Sequence, residues 1–287
     1  MRRRGFLPLI IFLSFCLLVA AGPACPKEKA KEIIIGIPTD VTNPHGQAQI
    51  EGVKLAVKEI NEAGGVTVGG ERYKFKVEVV DTRELKPGVP VEEALRATEK
   101  LILEKKADVI IGTVRSEAAI ACLDLIAAKY KKPWISCDGV WSPTFTKLIK
   151  ENYEKYKYAF RIHGNVAQAF KILIPFVKEL REKYGWNTFF IMVQDVKWAR
   201  DGGDYTKMLL EKEGFECKGY LRYPTGATDF TAGLRELEES GAKILILWMD
   251  MPEVTILLRD WRERIMERGK GRPAFLRKDQ VIYPARM

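Results

Sequence analysis

The chain has 287 residues, 47% of them hydrophobic and 10% aromatic, enough apolar material to bury one large core or two smaller ones. Its formal net charge is +9, from 47 Lys and Arg against 38 Asp and Glu. That charge is scattered as Lys/Glu mixtures on expected helix faces, with no basic stripe carrying interleaved aromatics, which argues against nucleic-acid binding.

Arg2, Arg3 and Arg4 precede a nearly continuous apolar run from Phe6 to Ala21, followed by small residues and Cys25. A basic start, an apolar middle and a small-residue exit predict an export signal over residues 1–24. The run is short for a membrane-spanning helix. Val19-Ala20-Ala21 suits an ordinary signal peptidase. Gly22-Pro23-Ala24-Cys25 resembles a bacterial lipoprotein box, in which Cys25 becomes the lipidated first residue, although Gly22 stands where a leucine is usual. Residues 25–32 then read as a short solvated tether. The expected location is the periplasm or the outer face of the cytoplasmic membrane, with a lipid as the one membrane attachment. Cys122, Cys137 and Cys217 remain beyond the leader; three thiols cannot all pair, and none has metal-ligand spacing. Buried free thiols are expected, with a Cys122–Cys137 bridge as the alternative in an oxidising compartment. No metal or cofactor is expected.

From Lys31 onward, short apolar runs alternate with amphipathic segments. Glu32 to Ile37 (EIIIGI) is too continuously apolar for a one-sided strand and predicts a central parallel strand. Thr42-Asn43-Pro44 supplies a cap and a first-turn proline; Ile50, Val53, Val57 and Ile60 fall on one helical face, and Gly64-Gly65 ends the helix. Tyr73, Phe75, Val77 and Val79 alternate as in a half-exposed strand. Val91, Ala94, Leu95, Leu101 and Ile102 make a helical stripe in which Thr98 is the one polar member. Ala107 to Gly112 predicts a buried strand, followed by a helix from about Glu117 to Lys129 and a strand beginning at Pro133. Four such alternations imply a parallel, doubly wound sheet, an N-terminal α/β lobe over residues 33–140.

Residues 141–157 (WSPTFTKLIKENYEKYK) are polar and irregular in period, and read as a crossover linker. Alternation restarts with strands at Tyr158–Ile162, Thr188–Val193, Cys217–Tyr223 and Lys243–Met249, interleaved with helices from Val166, up to Glu213, near Thr228-Asp229 and from Glu253. This is a second α/β lobe, 158–287. After the basic, glycine-containing loop 267–272 only about one strand's worth of sequence follows, so the lobe reads as incomplete. A ligand cleft between the two lobes is the natural expectation.

Signatures of catalysis are missing. The sequence has no GxSxG, HExxH or GxxxxGK(S/T), and the turn Pro38-Thr39-Asp40-Val41 lacks the glycine fingerprint of a dinucleotide site. The only histidines, His45 and His163, lie in different expected lobes. His45 reads as a solvated first-turn residue, and His163 as either structural or a cleft contact. Ligands of open parallel sheets gather beyond the carboxyl ends of the strands. There, Ser116 in Gly112-Thr113-Val114-Arg115-Ser116-Glu117 reads as a helix cap beside free N–H groups that suit an anion, or as a cap alone. Ser136-Cys137-Asp138-Gly139 is the equivalent turn of the next strand, small and polar, either ligand-facing or a plain turn.

Four stretches carry a family resemblance: IIIGIPTDVTNPHGQAQIEGVKLAVKEINEAGG, the turns IIGTVRSEA and PWISCDG, FRIHGN, and DFTAGLRELEESGAKILILWMDMPE. Over Ile33 to Trp261 the chain resembles type I periplasmic solute-binding proteins of the branched-chain amino-acid class. That resemblance implies two doubly wound lobes closing on an amino acid or analogue, delivery to an ABC transporter permease, a monomer, and no enzymatic activity. A sensing domain of a signalling receptor, or an exported α/β enzyme, is the alternative. It also implies site residues. Ser116 falls where the family holds the ligand's α-carboxylate or amine. Ser136, Asp138 and Gly139 fall on the second first-lobe loop, with Cys137 and Asp138 replacing the usual small residues and Val140 or Trp141 an expected threonine. Trp198 takes the place of a pocket-lining aromatic, with core packing as its other reading; Asp250 takes another second-lobe contact position, or caps the helix near Glu253. Asp279 is a loose candidate for the acid that neutralises the ligand's ammonium. Asp138 and Asp250 together make the expected cleft more acidic than an aliphatic amino acid requires, so a cationic, amide or extended ligand fits as well. The family's chains are longer and return to the first lobe, so a truncated second lobe is expected.

Overall fold

The EIIIGI run forms β1 (Lys31–Thr39), the inner strand around which the first half of the molecule is wound. In the computed structural model, residues 31–250, 253–268 and 281–282 are described. The leader, Cys25 and Asp279 lie outside the described residues. β1 is flanked in parallel by β3 (Glu71–Asp81), from Lys31↔Tyr73 to Thr39↔Asp81, and by β4 (Val109–Ile111). The full order is β2-β3-β1-β4-β5-β6, with β2 (Val66–Val68) an antiparallel edge on β3.

Helices cover the two faces unequally. On one face lies α1 (Pro44–Glu62), which starts where the Asn43 side chain accepts from the His45 N–H and Pro44 fills the first turn. It packs Ile50, Val53 and Val57 over Ile35, Ile37 and Phe75. On the other face are α2 (Val91–Leu103), α3 (Ser116–Cys122), which continues as a π-helical stretch Leu123–Lys129, α4 (Pro143–Glu151) and α5 (Tyr153–Tyr156). Leu101, Ile110, Leu123, Ile126 and Trp134 fill the core beneath them.

Two expectations are corrected at this point. Residues 141–157 are not a linker: α4 and α5 bury Phe145 and Tyr156 in the first core, Phe145 edge-on to Trp134 at 5.3 Å. The strand expected to open the second lobe is β6 (Ala159–Arg161), and it closes the first sheet, pairing in parallel with β5 (Trp134–Ser136) through Trp134↔Ala159 and Ser136↔Arg161. Without it the outer edge of β5 would leave its N–H and C=O groups unpaired. Strand–helix alternation counts units but does not say which sheet a strand joins.

The chain passes to the second half over residues 162–165. Asn165 and Gln168 form a reciprocal capping box at the start of α6 (Val166–Tyr184), which ends at Gly185 with φ 71°. The second sheet, order β10-β9-β7-β8, comprises β7 (Thr188–Gln194), β8 (Glu216–Tyr223), β9 (Ile244–Trp248) and β10 (Val281–Ile282), all parallel. Its helices are α7 (Lys197–Lys212), α8 (Thr231–Ser240) and α9 (Glu253–Arg268). β7 explains why TFFIMVQ lacks polar alternation. Phe189, Ile191 and Val193 point into a core with α6 and α7, while Phe190 and Met192 point into a second core with α8 and α9. Each such buried side chain contributes about 2 kcal/mol of transfer free energy.

The cysteine bridge is not formed. Cys122 is buried against Thr98 of α2, and Cys137 meets Gln49 of α1 at 3.1 Å, so the two thiols point to opposite faces of the sheet. Burial pushes the Cys122 thiol up to about 12.

Candidate ligand-binding site

The turns beyond the carboxyl ends of the two sheets face each other and touch. Arg115, in the turn after β4, reaches Asp250 after β9 (Nη1 to Oδ2, 3.4 Å) and Thr225 after β8 (Nη2 to Oγ1, 3.4 Å). The Ser142 hydroxyl donates to Asp201 of α7 at 2.6 Å. Glu117 accepts from the backbone N–H of Lys197 and lies 3.8 Å from Arg200. Between these ties sits a cavity of about 40 Å³, lined by Asn43, His45, Leu85, Arg115, Gln194, Thr225, Asp250 and Glu253. That is room for a water molecule or two, not for a solute.

The first-lobe wall is built around Glu84, a buried carboxyl just beyond β3. Its Oε1 accepts from the Val114 N–H (3.0 Å) and the Thr82 hydroxyl (3.1 Å), and its Oε2 from the Arg115 N–H (3.0 Å). Burial pushes this carboxyl up to about 7, against the downward pull of those donors and of the Arg115 charge. The next turn packs directly on it. Gly139 has φ 76°, and a β-carbon there would lie 2.1 Å from the Val114 carbonyl oxygen. Only glycine allows that approach.

The expected site residues divide. Ser116 is fully buried; its hydroxyl donates to the Gly139 carbonyl (3.5 Å) and accepts from the Ser142 N–H (3.2 Å). It is the first residue of α3, and Arg115 holds the cap position with no side-chain cap bond, so the cap reading of Ser116 is corrected. Its hydroxyl reaches across to the neighbouring turn instead of back to its own helix. Ser136 is buried and bonded to His163 Nε2 at 3.0 Å, while His163 Nδ1 donates to the Gly164 carbonyl at 2.7 Å. That leaves Nε2 to accept from the serine, and burial lowers the histidine's pKa, which favours the neutral ring. Asp138 meets His45 Nδ1 at 3.3 Å. His45 is therefore a wall residue of the cavity, not the solvated helix residue its position suggested. Trp198 lies in the core that β7 shares with α6 and α7, edge-on to Trp248 at 6.2 Å, in line with its packing reading. Asp250 lines the cavity, and its carbonyl accepts from the Val254 N–H (3.2 Å) at the head of α9.

Sequence reasoning missed Arg115, Glu84, Gln194, Thr225 and Glu253. Glu253 Oε1 accepts from Gln194 Nε2 (3.0 Å) and the Gly226 N–H (2.7 Å), joining the turns after β7 and β8 to α9. The carboxyl-end rule, applied to β7 and β8 as to β4 and β5, points to Gln194 and Thr225.

Among the described residues no group of three or more His, Cys, Asp or Glu is placed to hold a metal, and no helix is long and apolar enough to cross a membrane. A family model described as "Periplasmic binding protein" matches residues 32–264. Among solved structures, the branched-chain amino acid transporter substrate-binding protein LivJ from Streptococcus pneumoniae, in complex with isoleucine, superposes with a TM-score of 0.65 at 21% identity, covering 82% of this chain and 62% of that one. A solute-binding protein of an ABC transporter from Rhodopseudomonas palustris HaA2, in complex with p-hydroxybenzoic acid, gives 0.65 at 18%, covering 83% and 59%. An ABC transporter substrate-binding protein from Sphaerobacter thermophilus gives 0.63 at 19%, covering 88% and 62%. The chain thus spans about three fifths of the length of the structures it matches. The family and these structures are solute-binding proteins, not enzymes. Two α/β sheets whose turns meet tip to tip agree with the match over residues 32–264, and the chain belongs to the periplasmic binding protein family, with its type I fold.

Proposed function

We propose that the chain captures an amino acid or related small polar solute outside the cytoplasmic membrane and hands it to the permease of an ABC importer. In this reading residues 1–24 direct export, Cys25 carries a lipid, and the protein acts as a monomer. The observation that carries the reading is the convergence of charged and amide side chains from both lobes on a cavity of only about 40 Å³. A space that small admits a solute only if the lobes part. Opening breaks the Arg115–Asp250, Ser142–Asp201 and Glu117–Lys197 contacts, and a solute touching both walls restores closure by its differential affinity for the closed state. Ser116, Ser136, Asp138, Gly139 and Trp198 then support the walls, and Asp250 forms part of them.

The test is a thermal-shift and calorimetric screen of the purified protein against the common amino acids, 4-hydroxybenzoic acid and their carboxamides. A cognate solute at about 100 times its Kd stabilises the fold by about 2.7 kcal/mol. A folded sample that responds to none of them contradicts the reading.

A further inference from the structure

We propose that Arg115 is the anchor for a carboxylate on the solute, and that Asp250 occupies this anchor as an internal stand-in when no solute is bound. The inference rests on reading the interlobe cavity as the solute site, and it names the chemical class that site selects.

Three observations converge. The Arg115 side chain is 8% exposed, and a guanidinium stays charged wherever it is buried. Yet its side-chain contacts among the described residues are long: 3.4 Å to Asp250, 3.4 Å to Thr225 and 3.5 Å from Nε to the Glu84 carbonyl. Charge-assisted pairs of this kind normally close to about 2.8 Å, and a guanidinium prefers both oxygens of a carboxylate in a fork. The contact with Asp250 runs from Nη1 to Oδ2 alone, a long single bond where a fork would be shorter and stronger.

The anchor is also held in place before any solute arrives. Glu84 grips the Val114 and Arg115 N–H groups, and Gly139 packs against Val114, so the backbone under the guanidinium belongs to the rigid first-lobe wall. Asp250 belongs to the other lobe and leaves with it when the cleft opens. The remaining cavity carboxylate, Glu253, is bound to Gln194 Nε2 and the Gly226 N–H within the second lobe. Opening therefore exposes a fixed cation whose internal partner has just departed. A carboxylate entering there replaces Asp250 on equal charge, whereas an amide or a cation cannot.

Two comparisons test this. In the wild-type protein each acid that binds is set against its own carboxamide, isoleucine against isoleucinamide and 4-hydroxybenzoic acid against 4-hydroxybenzamide among them. The acid is expected to bind at least about tenfold tighter, the scale of one charged hydrogen-bond pair. In Asp250→Asn, which keeps an acceptor beside Arg115 but removes the competing charge, the acid is expected to bind tighter than in wild type while the amide is unchanged. Arg115→Gln is expected to erase the acid–amide difference. Acid and amide binding wild type equally, or Asp250→Asn weakening the acid, would overturn the anchor and leave the solute-capture reading standing. No response from any compound removes that reading and this inference with it. The wild-type comparison stands even if either variant fails to fold.

Discussion

Two of the molecule's hollows are opposite in character. The one between the sheet tips measures about 40 Å³ and is walled by Arg115, Asp250, Glu253, Gln194 and Thr225. The other, about 400 Å³, is a groove along α1 on the first sheet, walled by Ile35, Val53, Val57, Ile60, Ile111 and Ile135, with Ile162 at its border 72% exposed. Size alone would choose the second. A solute site, however, needs several polar groups fixed in space to orient its guest, and the groove's lining side chains include only Gln49, whose Nε2 donates to the Cys137 thiol, and Cys137 itself. The groove follows from unequal cover: among the described residues one helix lies on that face of the sheet and four on the other. Chemistry of the lining, and not volume, separates a wall built for recognition from a face with little over it.

Backbone contacts give the sharpest way to break this comparison. The cavity wall depends on turns that touch, so Gly139→Ala should cost about 4 kcal/mol, combining a strained positive φ with a clash against the Val114 carbonyl. Chemical denaturation measures it. A loss under about 1 kcal/mol would mean the turns yield easily and cannot preorganise Arg115.

Glu84 gives the next largest effect, and its sign is definite. Below the ordinary value of 4.5 the carboxyl is protonated in both folded and unfolded chains. Between 4.5 and about 7 the unfolded chain releases the proton while burial keeps it on the folded one. Stability from this group is therefore lost as pH rises through that window, by about 1.4 kcal/mol per unit. Unfolding free energies measured from pH 4.5 to 7.5 in wild type and in Glu84→Gln should differ by this slope, the subtraction removing the opposite contribution of the buried His163. An unchanged slope in the variant would place the titration elsewhere.

Much of the fold was legible because its signals are local. EIIIGI and TFFIMVQ are apolar on both faces because both faces are covered, and Asn43-Pro44 caps the helix it precedes. The rest depends on pairings between distant parts of the chain. No local pattern tells β6 to join β5 rather than open a new sheet. Arg115 and Asp250 are 135 residues apart, and no local pattern pairs them. Glu84 sits in RELKPG, a stretch with the composition of a surface loop, and is buried because three donors converge on it. The cap expected at Ser116 is not made, since a hydroxyl at a helix start can bond its own helix or the next loop, and here it bonds the next loop.

The groove supplies the mildest and most telling contrast, because the same substitution there should act with the opposite sign. Gly52 lies within α1 at its edge, where an added β-carbon meets nothing within 4 Å. Glycine inside a helix carries an entropic penalty that alanine does not, so Gly52→Ala should stabilise the fold by about 0.8 kcal/mol. In a chain of this size that raises Tm by about 2 °C. Since no polar group that orients a solute is touched, the acid-induced thermal shift should be superimposable on that of wild type. A Gly52→Ala protein that gained stability but lost its response to the acid would put the binding event in the groove and reverse the assignment of the two hollows.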